Sequence, residues 1–265
     1  MHEPVLLKPV IELLRPTEGD SYLDATAGYG GHARKILTRT KNYTNSVLVD
    51  RDKAAYDHLK KEFNSLGIEI LRDDFLSAAE TLLNQNRKFD LILADLGVSS
   101  LHLDIASRGF SFAATGPLDM RMDQRQDLTA EQIVNEWTAE NLERILRVYG
   151  EEPKARRIAK TIVANRPYTN TKQLATIVAK TTGRWTGKHP ATRTFQAVRI
   201  AVNDELRLTE KVIPLWIQLL NPGGRLGIIG FHSLEDRIVK QYFAEHAGER
   251  YDSTLRLINK QPVVA

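Results

Sequence analysis

The sequence of 265 residues contains no cysteine, and this absence excludes several kinds of chemistry. Disulfide bonds, thiolate zinc sites and cysteine-held iron–sulfur clusters all require cysteine side chains. A cysteine nucleophile is excluded as well, so an enzyme with this sequence that modifies a pyrimidine does not activate the ring through a cysteine adduct. Any catalysis must use other polar side chains or a bound cofactor.

Long apolar segments are missing too. No stretch approaches the roughly 18 consecutive apolar residues that suggest a transmembrane helix, and residues 1–4 lack the basic and apolar regions of a signal peptide. With 42% hydrophobic and 26% charged residues, the composition is that of a globular protein. We expect a cytoplasmic protein without membrane contact, and its net charge of +4 permits an anionic partner.

A glycine-rich stretch follows the first predicted strand. Residues 22–32 read YLDATAGYGGH, with three glycines in four positions. The pattern predicts a strand, a tight turn and a helix over about 33–40, an arrangement typical of nucleotide-cofactor sites. Gly28, Gly30 and Ala33 also fit the G-x-G-x-x-G/A pattern of dinucleotide enzymes, so a NAD-dependent dehydrogenase is one alternative. A glycine-rich turn without a ligand is another.

Acidic residues stand at the ends of the predicted strands. Further strands are expected over 46–50, 68–75 and 89–96, alternating with helices over 53–63 and 77–85. This alternation predicts a parallel sheet, in which ligands bind beyond the carboxyl ends of the strands. Asp24, Asp50, Asp74 and Asp95 all fall at these ends. Asp50 lies 20 residues after Gly30, where a ribose-binding acid is expected, although Asp50 could instead cap the next helix.

The alternation stops after Asp95 and resumes near residue 207. Thr129 and Gln132 form a predicted capping box, and helices are expected over 130–137, 139–149, 154–165, 171–181 and 191–206. A Pro-Gly-Gly turn at 222–224 then precedes a strand over 226–231, a helix over 234–246 and one or two strands within 253–264. This turn is common in class I methyltransferases and favours S-adenosylmethionine over NAD.

Basic residues dominate the region 153–200, which has eleven Lys or Arg and no Asp or Glu. In 154–163, Ala155, Ile158, Ala159, Ile162 and Val163 form an apolar stripe, so the basic side chains are expected to face outward. A surface of one charge sign is typical of phosphate binding, although an ordinary solvated face is the alternative. The residues predicted to bind the phosphates of an anionic partner are Lys154, Arg156, Arg157, Lys160, Lys188 and Arg193.

Several long motifs resemble those of the ribosomal RNA small subunit methyltransferase H family. They are HEPVLL at 2–7, DLGVSS at 95–100, RGFSF at 108–112, GPLDMRMD at 116–123, HPATRTFQ at 189–196 and FHSLEDR at 231–237. The resemblance covers the whole chain. It implies an α/β fold with a class I, Rossmann-like methyltransferase sheet from residues 1–104 and 207–265, and an inserted helical RNA-recognition domain from residues 105–206.

The resemblance also implies an activity and a set of site residues. The family is bacterial and uses S-adenosylmethionine to methylate N4 of a cytidine in the decoding region of 16S rRNA, so the small ribosomal subunit is the expected partner. The implied cofactor-binding residues are Gly30, Gly31, His32, Asp50, Phe75, Asp95 and His102. His102 stands where the family usually has Gln, and Thr115 where it usually has Asp. A basic tail usually follows, so RNA contacts from a tail beyond Ala265 are expected to be absent or replaced.

Asp95 is the predicted catalytic residue. The lone pair of the cytosine amine is delocalised into the ring, and an acceptor for one N–H can orient the amine for in-line attack. Other polar participants left open are Asp119, Asp123, His189 and His232. We expect no metal, and a monomer or weak homodimer. A catalytically weak RNA-binding assembly factor is the alternative function.

Overall fold

The computed structural model describes residues 4–98, 100–183, 187, 189–248 and 253–264, without the side chains of residues 100 and 101. The chain forms two compact units, one from Met1–Gly97 with Leu206–Ala265 and the other from Val98–Glu205. They are called here the sheet unit and the helical unit. None of the helices in the described part of the chain has both the length and the apolar character that crossing a membrane requires.

The described residues form five β-strands and twelve α-helices. The strands are β1 (Tyr22–Asp24), β2 (Val47–Val49), β3 (Glu69–Leu71), β4 (Phe89–Asp95) and β5 (Leu220–Ile229). The helices are α1 (Leu7–Leu14), α2 (Gly31–Thr40), α3 (Lys53–Phe63), α4 (Phe75–Asn84), α5 (Ser100–Asp104), α6 (Ala130–Glu136), α7 (Ala139–Val148), α8 (Ala155–Ala164), α9 (Thr171–Thr182), α10 (Ala191–Asn203), α11 (Glu205–Gln218) and α12 (Ser233–His246).

The five strands form one parallel sheet in the order β3-β2-β1-β4-β5. Apolar side chains of the sheet pack against α1, α2 and α3 on one face and against α4, α11 and α12 on the other. The predicted α/β fold is therefore confirmed. The strand order reverses between β1 and β4, and ligands of such sheets bind outside the carboxyl ends of the strands at this point.

Two strands differ from their predicted bounds. The predicted strand 68–75 is reduced to β3, because the Asp74 side chain accepts the backbone N–H groups of Leu76 and Ser77 and thereby starts α4. The predicted strand 226–231 begins earlier, at Leu220. Its register jumps from Phe89–Leu220 to Leu91–Arg225, so the Pro-Gly-Gly turn is an irregularity inside β5.

Two predictions near helix and chain ends are wrong. The helix expected over 191–206 ends at Asn203, because Asp204 adopts a left-handed conformation with φ 51°. The strands expected within 253–264 are not formed by the described residues there, which contribute an isolated bridge between Ala247 and Leu255.

The helical unit has its own apolar core, built from the inner faces of α6 to α10. All five of its predicted helices form, with α10 shorter than predicted. The capping box is confirmed, because Thr129 and Gln132 bond each other's backbone. Two glycines permit close backbone approach within this unit. A Cβ on Gly116 would lie 1.8 Å from the carbonyl oxygen of Ala106, and one on Gly109 would lie 2.2 Å from that of Pro117. These two motif glycines are therefore required by the fold.

Candidate active site

Asp24 and Asp95 end the two strands at which the sheet order reverses. β1 and β4 pair in parallel, with Asp24 opposite Leu93. The turn after β1 is tied to the end of β4, because the hydroxyl of Thr26 accepts the backbone N–H of Asp95 at 2.6 Å. These contacts bring the turn after β1 and the last residue of β4 together at the carboxyl edge of the sheet.

Asp50 follows β2 and reaches the glycine turn. Its Oδ2 accepts the backbone N–H of Gly28 at 2.8 Å, and its Oδ1 accepts that of Asp52 at 2.8 Å. The cap of α3 is Asp52, whose Oδ1 accepts the N–H groups of Ala54 and Ala55. Of the two roles left open by the sequence, helix capping therefore falls to Asp52, and Asp50 is held beside the glycine turn.

The three glycines of the turn have different surroundings. A Cβ on Gly30 would lie 2.7 Å from the ring of Phe63, and one on Gly31 would lie 2.6 Å from Pro4. Both glycines are thus required by packing within the protein. Gly28 has φ +54° and nothing within 4 Å of its Cβ position, so its backbone borders open space that a ligand can occupy.

The first turn of α2 offers backbone donors beside this space. The N-cap is Gly30, which has no side chain to accept a hydrogen bond. The N–H groups at the start of a helix have no intrahelical acceptor, and the helix dipole makes this end positive. The backbone of Gly31 and His32 can therefore donate to acceptor atoms of a ligand.

Asp24 is buried together with Tyr22. Asp24 is 1% exposed, and its Oδ2 accepts a hydrogen bond from the hydroxyl of Tyr22 at 2.7 Å. Burial raises the pKa of Asp24 to about 7, although the hydrogen bonds from Tyr22 and from the Thr26 backbone act in the opposite direction. Burial also raises the pKa of Tyr22 well above its ordinary value. This hydrogen bond lies within β1, at the strand end that borders the candidate site.

Asp95 lies beside His32. The Nδ1 atom of His32 is 3.7 Å from Oδ2 of Asp95, while its Nε2 lies 2.9 Å from the carbonyl oxygen of Val5. A carbonyl oxygen accepts a hydrogen, so Nε2 carries one. The other carboxylate oxygen, Oδ1, is buried and has no hydrogen-bond partner among the described residues. A buried acceptor without a donor is costly, and it marks the atom to which a ligand N–H can be donated.

The surroundings of Asp95 favour its protonated form. Burial is the largest cause and, together with the charges of Asp24 and Glu235, raises the pKa of Asp95 to about 7. Burial also lowers the pKa of His32, so this histidine is neutral near pH 7. Asp95 therefore titrates in the range in which a carboxylate can both accept a proton and release it.

Glu235 is a site residue that sequence reasoning missed. It is 1% exposed, its Oε2 accepts the backbone N–H of Phe231 at 2.8 Å, and its Oε1 lies 3.3 Å from Nε2 of His232. His232 in turn caps α12. Glu235 is visible in the motif at 231–237, but the sequence does not show that its side chain is buried.

Phe75 is the first residue of α4, directly after the cap residue Asp74. Its half-buried ring packs on the indole of Trp216, with ring centroids 5.6 Å apart. An aromatic ring at this position, beyond the carboxyl end of β3, presents an apolar surface on which a flat base can pack.

The remaining polar candidates belong to the helical unit. The ring of His102 stacks on Phe110 with centroids 4.9 Å apart. Asp119 and Asp123 pair with the arginines two positions later, at 2.9 and 2.6 Å. Burial acts to raise the pKa of Asp119, but the hydrogen bonds and charge of Arg121 outweigh it and lower that pKa. The two acids are therefore engaged in structural ion pairs.

The basic face predicted on the helical unit is formed by α8 and its neighbours. Ala155, Ile158, Ala159 and Ile162 are buried, and Val163 packs against the same core. The exposed residues include Lys154, Arg156, Arg157, Lys160 and Arg193, whereas Lys188 lies outside the described residues.

Not every basic residue of this region faces solvent for a partner. Arg166 donates to the backbone carbonyls of Val134 and Trp137, and Arg199 forms an ion pair with Glu205 at 2.8 Å. These two arginines bind groups within the helical unit itself. The exposed basic side chains that are available to an anionic partner therefore lie on α8, on α9 (Lys172 and Lys180) and at the start of α10.

Comparison with known proteins places the chain in a family. Relatives named ribosomal RNA small subunit methyltransferase H occur in Trichormus variabilis, at 44% identity over all of this chain and 85% of the relative, and in Synechocystis sp., at 45% over all of this chain and 86% of the relative. Another, from Halothermothrix orenii, is 43% identical over 99% of this chain and 91% of its own length. A family model matches residues 1–265, and the chain belongs to the MraW methylase family.

Proposed function

We propose that this protein uses S-adenosylmethionine to methylate N4 of a cytidine in the decoding region of 16S rRNA. The observation that carries the proposal is the buried Oδ1 of Asp95, an acceptor without a donor at the carboxyl end of β4, in a chain of a methylase family. The names of the relatives, which are small subunit rRNA methyltransferases, support rRNA as the substrate.

The residues of the sheet unit fit this cofactor. Asp50, held beside the glycine turn by the N–H of Gly28, would accept hydrogen bonds from ribose hydroxyls, because a carboxylate offers about four acceptor positions. The ring of Phe75 would pack on the adenine. The backbone at Gly30, Gly31 and His32 would hold the methionine end, and the family resemblance adds His102 to this set.

When bound, S-adenosylmethionine would supply a methyl group on a positively charged sulfur, and that sulfur would keep the electron pair of the broken C–S bond. The task of the protein is therefore to position the amine. Oδ1 of Asp95 would accept one N–H of the cytosine amine, which turns the nitrogen lone pair away from the ring and toward the methyl group. The target base must leave any stack to reach this position.

We propose a matching division of labour along the chain. Residues 1–104 and 207–265 would hold the cofactor and the reacting amine, and residues 105–206 would recognise rRNA within the small ribosomal subunit. The basic face supports this assignment, because the exposed side chains of Arg156, Arg157 and Lys160 lie on one helix without acidic partners among the described residues. Such a face binds phosphates with little dependence on sequence.

The test is transfer of a labelled methyl group from S-adenosylmethionine to assembled small ribosomal subunits, to naked small-subunit rRNA and to a protein control. Digestion to nucleosides then locates the label. The wild type is compared with Asp95→Asn and with Asp57→Asn, a matched change of an exposed acid on α3. Cofactor affinity of each variant is measured separately by calorimetry.

Label in N4-methylcytidine is the expected result, together with a loss of turnover in Asp95→Asn of about 10²-fold or more and wild-type turnover in Asp57→Asn. Full turnover in Asp95→Asn with normal cofactor binding would remove Asp95 from the reaction. Absence of label in any RNA, with cofactor bound, would favour the RNA-binding assembly factor instead.

A further inference from the structure

The contact between His32 and Asp95 is not explained by cofactor binding alone. The backbone of His32 is sufficient for the role that the family resemblance implies, yet its side chain is buried, at 7% exposed, and lies beside Asp95. The carbonyl oxygen of Val5 holds the hydrogen of Nε2, so Nδ1 of the neutral ring presents a lone pair. That lone pair faces Oδ2 of Asp95 at 3.7 Å.

We propose that His32 is the positioning residue of Asp95, and that its Nδ1 receives the O–H of the Asp95 carboxyl group once Asp95 has taken a proton from the methylated amine. This inference rests on the proposed function. It assigns the His32 side chain a part in the fate of the proton, beyond its backbone contact with the cofactor.

The reaction releases a proton that must leave the amine, and an acceptor beside Asp95 gives this proton a defined place. When the amine nitrogen gains a methyl group it becomes positively charged, and it returns to neutrality by losing one of its two original hydrogens as a proton. The Asp95 carboxylate takes that proton and becomes a neutral acid. The proton arrives on Oδ1, and rotation of the carboxyl group about its Cβ–Cγ bond brings the O–H to the side of His32. Nδ1 of His32, an acceptor whose tautomer is already fixed, then receives it as the 3.7 Å separation shortens to hydrogen-bond distance. The proton then passes to solvent as the carboxylate is restored.

Other ionisable groups face Asp95 from the elements around it. They are Asp24 on β1, with Tyr22 bonded to it, and Glu235 on α12. Both acids act on Asp95 through their negative charge, which favours a proton there, whereas the His32 ring lies on the Oδ2 side of Asp95. The charges thus make proton uptake favourable, and His32 determines where the proton is held.

The inference is tested with His32→Gln, which keeps a side-chain donor for the Val5 carbonyl but removes the acceptor near Asp95. His32→Asn is the rescue variant, because its amide oxygen is placed near the position of Nδ1. His246→Gln, at the exposed end of α12, is the matched control. Two readouts are used: the pH profile of kcat at saturating substrate, and a carboxyl-carbon NMR titration of Asp95 in protein without cofactor.

Loss of the Nδ1 acceptor destabilises the acid form of Asp95. In His32→Gln, the acidic limb of the kcat profile and the NMR midpoint are therefore expected to move to lower pH by about 0.5 to 1 unit, and maximal kcat to fall about five- to tenfold. His32→Asn should recover part of both changes, and His246→Gln should match the wild type.

A midpoint and a limb that stay at their wild-type pH in His32→Gln would overturn the inference, even if cofactor affinity falls, because His32 would then be a binding residue only. Failure of the proposed function looks different. In that case the wild type transfers no methyl group to RNA, while the NMR titration still reports whether His32 acts on Asp95.

Discussion

Replacing Asp24 with Asn should make the protein more stable at neutral pH and change how its stability depends on pH. Asparagine has nearly the same shape, so it keeps an acceptor for the Thr26 backbone and a partner for the Tyr22 hydroxyl. What the change removes is a buried group that can ionise. The size of the effect follows from the difference between the pKa of Asp24 in the folded protein and its ordinary value.

The pKa of Asp24 is about 7 in the folded protein, against 3.8 for an ordinary aspartate. The folded state therefore binds the proton more tightly than the unfolded chain does, so the free energy of unfolding of the wild type falls as pH rises from about 4 to about 7 and is level above that. The total is about 4 kcal/mol at about 1.4 kcal/mol per pH unit. The asparagine side chain of the variant does not titrate, so the variant escapes this loss.

The assay is urea unfolding of both proteins at pH 5, 6, 7 and 8, followed by tryptophan fluorescence, to which Trp216 in the sheet core contributes. The stability of Asp24→Asn relative to the wild type should grow by about 3 kcal/mol between pH 5 and pH 8. The pKa of Asp95 is also about 7, so the single variant Asp95→Asn and the double variant with Asp24→Asn are measured as well. A difference that stays constant over this range would refute the argument.

Two further predictions concern the glycine turn and the basic face. Gly28→Ala is expected to cost about 1 kcal/mol of stability through its positive φ and to weaken binding of S-adenosylmethionine strongly. Gly30→Ala also overlaps an aromatic ring, so it should cost about 2–4 kcal/mol of stability. Urea unfolding measures the stabilities and calorimetry the affinities; a loss of affinity in proportion to the loss of stability in both variants would contradict the prediction. Changing both Arg156 and Arg157 to Glu should reduce the slope of log affinity for RNA against log salt by about 1.4, and Arg147→Glu on α7 should not. Equal slopes in filter binding would exclude the basic face as the RNA site.

Much of the fold follows from local pattern. Apolar strands that alternate with amphipathic helices predict a parallel sheet, and the Thr129 capping box predicts the start of α6. The predicted bounds of β3 and β5 were wrong, because local interactions other than strand pairing determine where these strands begin and end. The Asp74 side chain draws the chain into a helix after β3, and β5 accommodates its Pro-Gly-Gly turn by a jump in register.

The sequence predicts candidate site residues, but it does not predict the contacts between them. The sequence left helix capping open for Asp50, and only the packed turn shows that Asp50 bonds Gly28 while Asp52 caps α3. The contact of His32 with Asp95 joins positions far apart in the chain, and so does the effect of the Glu235 charge on Asp95. No local period or spacing encodes such contacts, because they depend on how the sheet and its helices pack.

The glycine turn is shaped by bonds within the protein, and this affects turnover. The N–H of Gly28 is bonded to Asp50, that of Ala27 to the carbonyl of Val49, and that of Gly30 to the carbonyl of Ala27. A cradle held by such internal bonds would, under the proposed function, bind ribose and adenine about equally well before and after methyl transfer. Under the proposed function, the demethylated product should therefore compete strongly with fresh cofactor for the same cradle.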